Sequence, residues 1–344
     1  MGDNNDLFLG LDCSTQSLTG LLIDESEVTT KVSVNFDKDL PQYNTKNGVI
    51  PFENERVVHS YPLMWVEALD LVFGLMKEKK IDFSQIKCIA GSGQQHGTVY
   101  LNNRFESTLN SLNPYEIIRY QISNCLARDT SPIWMDSSTT QQCEEIRTAL
   151  GGKEQTIQIT GSDTFERFSG PQIRKFFQEE PEAYQSTSII HLVSSYMASI
   201  LLGENAPIDF GDGAGMNLMN IQEKRWDERA LKATAPDLAE KLPPLVDSQK
   251  ILGTISPYFV KRYGFREDAM VLPWSGDNPN SLIGVGLVSK GKVALSLGTS
   301  DTFFSYLKKL MVDFKGEGHV FGAPTGDYMS LICYKNGSLA RERI

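Results

Sequence analysis

Cysteine, histidine and positive charge are all scarce in this chain: 344 residues carry five cysteines, four histidines, and 33 lysines and arginines against 43 acidic residues. The net charge of −10 argues against non-specific nucleic-acid binding, because a phosphate backbone needs clustered lysine and arginine. Cys13, Cys88, Cys125, Cys143 and Cys333 are scattered without a C-x-x-C spacing. That dispersal excludes a disulfide framework or a zinc site and reads as reduced thiols in a cytoplasmic protein. The opening "MGDNNDLFLG" has no basic region followed by an apolar stretch, and Asp6 stands where a myristoylation motif wants Ser or Thr. The longest apolar run, "IIHLVSSYMASILLG" at 189–203, is too short and too polar to span a bilayer and reads as a buried helix. Neither a G-x-x-x-x-G-K-[ST] run, nor a complete G-x-G-x-x-G, nor a G-x-S-x-G elbow occurs, so P-loop, dinucleotide-binding and hydrolase readings have no support.

What is present is ordinary in bulk and particular in detail. Apolar content of 40% and charged content of 22% suit a globular protein, and the length suits two domains or one large one. "LFLGLD" reads as a strand apolar on both faces, "CSTQS" as a turn and "LTGLLID" as a returning strand, together a hairpin. An amphipathic helix is expected over 60–80, a strand over 86–93, an irregular excursion over 101–131, a helix over 137–152, and helical segments over 222–250. A new unit is expected to begin near 270–281. "VALSLGTSDTFFSYL" at 293–307 repeats the apolar–turn–apolar pattern of the opening hairpin, which suggests two related domains facing each other.

Four short stretches could carry chemistry. In "DCSTQS" Asp12 ends a strand beside small hydroxyl residues; such a turn either satisfies its own backbone or holds Mg²⁺ while Thr15 and the backbone amides receive phosphate oxygens. "SLGTSDT" offers similar donors, with Gly298 allowing close approach of the backbone. In "WSGDNPNS" Asp277 either caps a helix or takes a proton from a substrate hydroxyl during group transfer. In "TFERFSG" Arg167 either shields Phe165 and Phe168 or, held by those rings, donates to substrate oxygens. His96, within "GSGQQHGT", has glycines at 91, 93 and 97 and little to pack against, at a strand end where α/β folds keep ligands.

Taken in order, "LGLDCSTQS", "GSGQQHGTVY", "SPIWMDSSTT", "TGSDTFERFSG", "IDFGDGAGMNL", "WSGDNPNSL" and "SLGTSDT" resemble the FGGY carbohydrate kinases over nearly the whole chain. The resemblance implies an α/β chain of two ribonuclease H-like (actin-like) domains with the site between them, a sugar-binding domain over 1–272 and an ATP-binding domain beginning at 273. It implies ATP-dependent phosphorylation of a small sugar, D-xylulose or another ketose or polyol, with ATP and Mg²⁺ and neither nucleic acid nor membrane as partner. It makes Asp277 the general base and groups Asp277, Asn278, His96 and Arg167 around the sugar. Asp12 would sit near Mg²⁺ and the transferred phosphoryl group, with Thr15, Gly298 and Thr299 along the ATP phosphates. Ser14, Gln172 and Lys175 depart from the pattern of many bacterial members. Residues 273–344 are short for a second domain of comparable size, so the chain is expected to be a fragment or a truncated form, for which a non-catalytic, sugar-binding role is the rival reading.

Overall fold

The computed structural model describes residues 6–25, 27–297 and 301–334. Strand β1 (Leu7–Cys13) turns back as β2 (Ser17–Ile23), and β3 (Val28–Asn35) extends the meander. The expected hairpin is present, with Leu11 opposite Gly20 and Asp12 opposite Thr19. Helix α1 (Pro62–Glu78) covers this sheet; its proline sits in the first turn, where an amide would have no helical partner anyway, and Trp65, Leu69, Val72, Phe73 and Met76 are buried. Gly20 lets the helix lie close, since a Cβ there would stand 2.7 Å from Met76 Cε. Strand β4 (Ile86–Gly93) joins the other edge of β1 in parallel, setting Asp12 beside Ser92 and Cys13 beside Gly93.

Residues 101–131 are more ordered than an irregular excursion. Strand β5 (Thr98–Leu101) leads to short helices at Phe105–Leu109 and Ile118–Ile122, and the four residues that bound these helices are all buried. Each contributes only a pair of apolar positions, too few for a helical period to emerge from the polar residues around them. Helix α2 (Thr140–Ala149) falls within the expected 137–152, and α3 (Ser169–Glu179) follows "TFERF". The apolar run at 189–203 is not helical throughout: it starts as β6 (Ile189–Leu192), paired antiparallel with β5, and continues as α4 (Val193–Leu202), every residue of which is buried. Helix α5 (Phe210–Ala214) starts at Asp209, whose carboxylate accepts from the Gly211 and Asp212 amides. Over 222–250 the helical content is confined to Glu228–Thr234 and Leu238–Lys241.

Strands β7 (Gly253–Thr254), β8 (Met270–Val271) and β9 (Ser275–Gly276) return to the first sheet. Its order is β7-β8-β4-β1-β2-β3, and β9 continues the line of β8 along β4. Both pair parallel with β4, Val271 beside Ile89 and Gly276 beside Gly93. Pro273, which has no amide to give a ladder, lies between them. The first sheet thus draws strands from just beyond residue 272, and helix α6 (Asp277–Gly284) leaves directly from β9.

A second, antiparallel sheet has the order β10 (Val293–Ser296), β11 (Asp301–Leu307), β13 (Tyr328–Tyr334), β12 (His319–Gly322). β10 and β11 form the second hairpin that the repeated pattern predicts, Ala294 facing Phe304. Phe304, Tyr306, Val320, Phe321, Met329 and Leu331 make its buried face together with Phe168, Met219 and Leu282 from the preceding chain. The five cysteines are unpaired. Among the described residues no helix is long and apolar enough to cross a membrane.

Candidate active site

Three neighbouring parallel strands, β1, β4 and β9, end level with one another, because Cys13 pairs with Gly93 and Gly93 with Gly276. The carboxyl ends of adjacent parallel strands are where an open α/β sheet leaves room for a ligand. Asp12 stands at the end of the first, the loop Gln94–Gly97 leaves the second, and Asp277 follows the third. Two strand spacings, roughly 10 Å, separate the first and third chains.

The Asp12 carboxylate accepts from Ser92 Oγ at 2.6 Å. Burial raises its pKa, and the Ser92 bond opposes that only in part. Beyond it, Thr15 Oγ1 accepts from the Trp134 indole at 2.8 Å and donates to Gln94 Oε1 at 3.4 Å. The turn itself is closed by Ser14, whose amide and hydroxyl both donate to Ser17 O. Gly298 and Thr299 lie outside the described residues.

Asp277 is partly buried at the start of α6. Its Oδ1 accepts from the Asn278 amide at 2.9 Å and from Asn278 Nδ2 at 3.0 Å, and Asn278 Nδ2 also reaches Gln95 Oε1 at 2.8 Å. Burial first, then the Asp12 carboxylate, push the Asp277 pKa up to about 6, although amide donors at Asn278 and Gln95 favour the charged form. A carboxyl poised there can hold or take a proton near neutral pH. The raised value also has a stability consequence. The folded chain holds this proton more tightly than the unfolded one, so the contribution is full below the unfolded value, about pH 4, and is lost as pH rises through about 6. Asp277→Asn keeps the acceptor oxygen and removes the buried charge. Stability should therefore rise by about 1–3 kcal/mol at pH 8 and stay unchanged near pH 4. Urea unfolding of both proteins at the two pH values checks this, and equal midpoints at pH 8 would contradict it.

His96 has a left-handed backbone, φ 68°, which costs a residue with a Cβ about 1–2 kcal/mol. Its ring stacks on Phe168, centroids 4.5 Å apart, and Nδ1 donates to Gly215 O at 2.9 Å. A carbonyl only accepts, so the proton is on Nδ1 and Nε2 is left as an acceptor. Burial, then the Arg167 charge, hold His96 well below the usual histidine pKa, so it is neutral. Arg167 lies on the same aromatic group, its guanidinium carbon 5.3 Å from the Phe165 centroid and 5.5 Å from that of Phe168. The chain therefore brings His96 and Arg167 around one phenylalanine, and Asp277 and Asn278 against Gln95 of the loop that carries His96.

Several neighbours escaped the sequence reading. Gln94 and Gln95 are buried, with each Nε2 lacking a protein partner, although both lay in plain view inside "GQQHG". Asp212 is buried among glycines; Ser194 Oγ donates to its Oδ2, and its Oδ1 has no partner. Burial, then the nearby Asp209 carboxylate, push the Asp212 pKa well above the usual range. An acid flanked by glycines in "GDGAG" was the available signal. His319, which meets Arg167, gave none.

For a divalent cation the donors are sparse but suitable. Among the described residues no three His, Cys, Asp or Glu side chains are arranged to hold a metal, and Asp12 makes no ion pair. A lone carboxylate with its charge uncompensated is what Mg²⁺ uses when substrate phosphates and water complete its shell. Asp12 therefore fits that group, and Thr15 fits a phosphate neighbour.

Residues 129–284 match the model of the N-terminal domain of the FGGY family of carbohydrate kinases. The chain is 48% identical over 343 residues to xylulose kinase 2 of Arabidopsis thaliana, covering 98% of this chain and 61% of the relative. It is also 48% identical over 339 residues to the xylulose kinase of Mus musculus, again covering 98% and 61%. The crystal structure of a xyloylose kinase from Brucella ovis superposes with a TM-score of 0.82 at 21% identity, over 98% of this chain and 62% of that one. That likeness shows the fold, a mixed α/β architecture shared with that structure. The chain spans about six tenths of the length of the curated relatives it matches.

Proposed function

We propose that the chain is a member of the FGGY family of carbohydrate kinases and serves the ATP-dependent phosphorylation of D-xylulose to D-xylulose 5-phosphate. The names of its relatives support the sugar. The observation that carries the chemistry is Asp277, a partly buried carboxyl with a pKa near 6 at the end of the third strand, steadied by Asn278 and the Gln95 amide.

In this reading Asp277 takes the proton from the 5-hydroxyl as that oxygen forms its bond to the terminal phosphorus of ATP and ADP departs. His96 Nε2 accepts from a sugar hydroxyl, while Arg167 and Asn278 donate to sugar oxygens. A polyol with a missing or inverted hydroxyl leaves one of these groups unpaired, and selectivity follows. Asp12 would hold Mg²⁺, which when bound with ATP neutralises charge on the transferring phosphoryl group. Thr15, Gly298 and Thr299 are proposed to line the phosphates.

ADP release measured with and without D-xylulose, alongside calorimetric titration with the sugar, tests this. Sugar-dependent ADP supports it. Tighter binding of glycerol or gluconate than of xylulose would move the substrate, and no sugar binding at all would overturn it. His96→Ala should raise the KM for the sugar about two- to tenfold, and Arg167→Met tenfold or more, with the KM for ATP little changed. An effect on ATP alone would remove both residues from the sugar.

A further inference from the structure

Arg167 is held by an unusual partner. Among the described residues it forms no ion pair; its Nη2 lies 3.1 Å from Nε2 of His319. A guanidinium has only donors, so His319 must accept there, and its own proton sits on Nδ1. Nδ1 is buried without a protein partner. The imidazole is wedged between rings, edge-on to Phe165 at 4.6 Å, 5.3 Å from Phe168 and stacked on Phe321 at 5.8 Å. Burial, then the Arg167 charge, bring its pKa down to about 3, so it stays neutral. A carboxylate in the same place would neutralise the guanidinium; a neutral acceptor fixes one N–H and leaves the charge and the remaining donors for a ligand.

His319 comes from the far sheet. Strand β12 docks on the first unit through Val320 N, which donates to Gly161 O at 3.1 Å, and through Gly322, where a Cβ would stand 2.8 Å from the Phe210 backbone. We infer that His319 is a positioning residue for the sugar site: docked from the second sheet, its imidazole aims the Arg167 guanidinium at the substrate. This rests on the sugar-kinase reading above and adds to it the residue through which the second sheet completes sugar recognition.

Calorimetric titration with D-xylulose across a double-mutant cycle tests it. Phenylalanine suits the ring cluster, so His319→Phe should fold with a near-normal melting midpoint and weaken sugar binding about three- to tenfold. His319→Gln, whose amide oxygen reaches the place of Nε2, should restore affinity to within about twofold; His319→Asn, which reaches only the place of Nδ1, should not. In an Arg167→Met background His319→Phe should have no further effect. Full additivity of the two changes, or normal binding by His319→Phe, would overturn the inference. The contact is also testable without sugar, by nitrogen NMR of the free protein at pH 7. The Nδ1–H tautomer at His319, shifting in Arg167→Met, supports the contact, and an Nε2–H tautomer in the wild type refutes it. A wild-type chain that binds no sugar defeats the kinase reading and, with it, the role of His319 there, whatever the tautomer.

Discussion

Asp277→Asn should cost about 10²–10⁴ in sugar-dependent ADP release, the usual worth of a positioned base, while the sugar Kd moves by no more than a few-fold. The amide keeps the oxygen that the Asn278 and Gln95 amides approach, so the local frame is preserved. It cannot accept the hydroxyl proton, and the attacking oxygen must then leave its proton to water. The pH profile gives an independent check. With the carboxyl pKa raised to about 6, the competent, ionised form is lost as pH falls through that value. Wild-type kcat/KM should therefore be flat above about pH 7 and fall tenfold per unit well below 6. The Asn278 side chain, which touches both Asp277 and Gln95, should shift this limb when changed to Ala, because one donor to the ionised form is lost and the pKa rises further. A mutant at Asp277 with near-normal turnover, or a wild-type profile with no acid limb between pH 5 and 7, would take Asp277 out of the base role.

How much of this was legible depended on how local each signal is. His96 and Asp277 announce themselves because glycines crowd them within a few residues, and the glycines are needed where they stand: a Cβ on Gly276 would lie 2.3 Å from Gln95 Cγ, and one on Gly97 would lie 2.6 Å from Val193 Cγ2. The pairing that joins them was not readable. The strand "AMVLPW" before Asp277 is legible and Met270–Val271 forms it, but Gly93 meets Gly276 across 183 positions of chain and no local pattern shows that pairing. His319 is likewise 152 positions from Arg167, so no pattern in "TFERF" points to it. The repeated hairpin was legible because each copy is two apolar runs joined by a short turn of small and hydroxyl residues. The strand Ile189–Leu192 was not, because it runs straight into the buried helix α4 with no glycine or proline to mark the change of period.

Gly93→Ala is expected to damage both the fold and the site. The added Cβ would stand 2.6 Å from the Ser194 amide nitrogen, 3.0 Å from Ser194 Cα and 3.1 Å from the Val193 carbonyl carbon. These are backbone atoms, so no rotamer change relieves them. They open α4, whose residues are all buried and which has nowhere to retreat. On its other sides Gly93 is fixed between Cys13 and Gly276 in the sheet. Overpacking of this kind costs about 1–3 kcal/mol and more where the backbone is hemmed in. The strain is released by moving the end of β4, which carries Gln94, Gln95 and His96 and is level with Asp12 and Asp277. A displacement of about 1 Å there is enough to cost on the order of 10² in rate even in molecules that remain folded. Gly74→Ala is the matched control: it lies within α1 with nothing inside 4 Å of the new Cβ, and it should stabilise the helix by about 0.5–1 kcal/mol. Melting midpoints and ADP release for the two variants side by side separate the effects. If Gly93→Ala melted and turned over like the wild type, the close contact between β4 and α4 could not be what sets the level of the three strand ends.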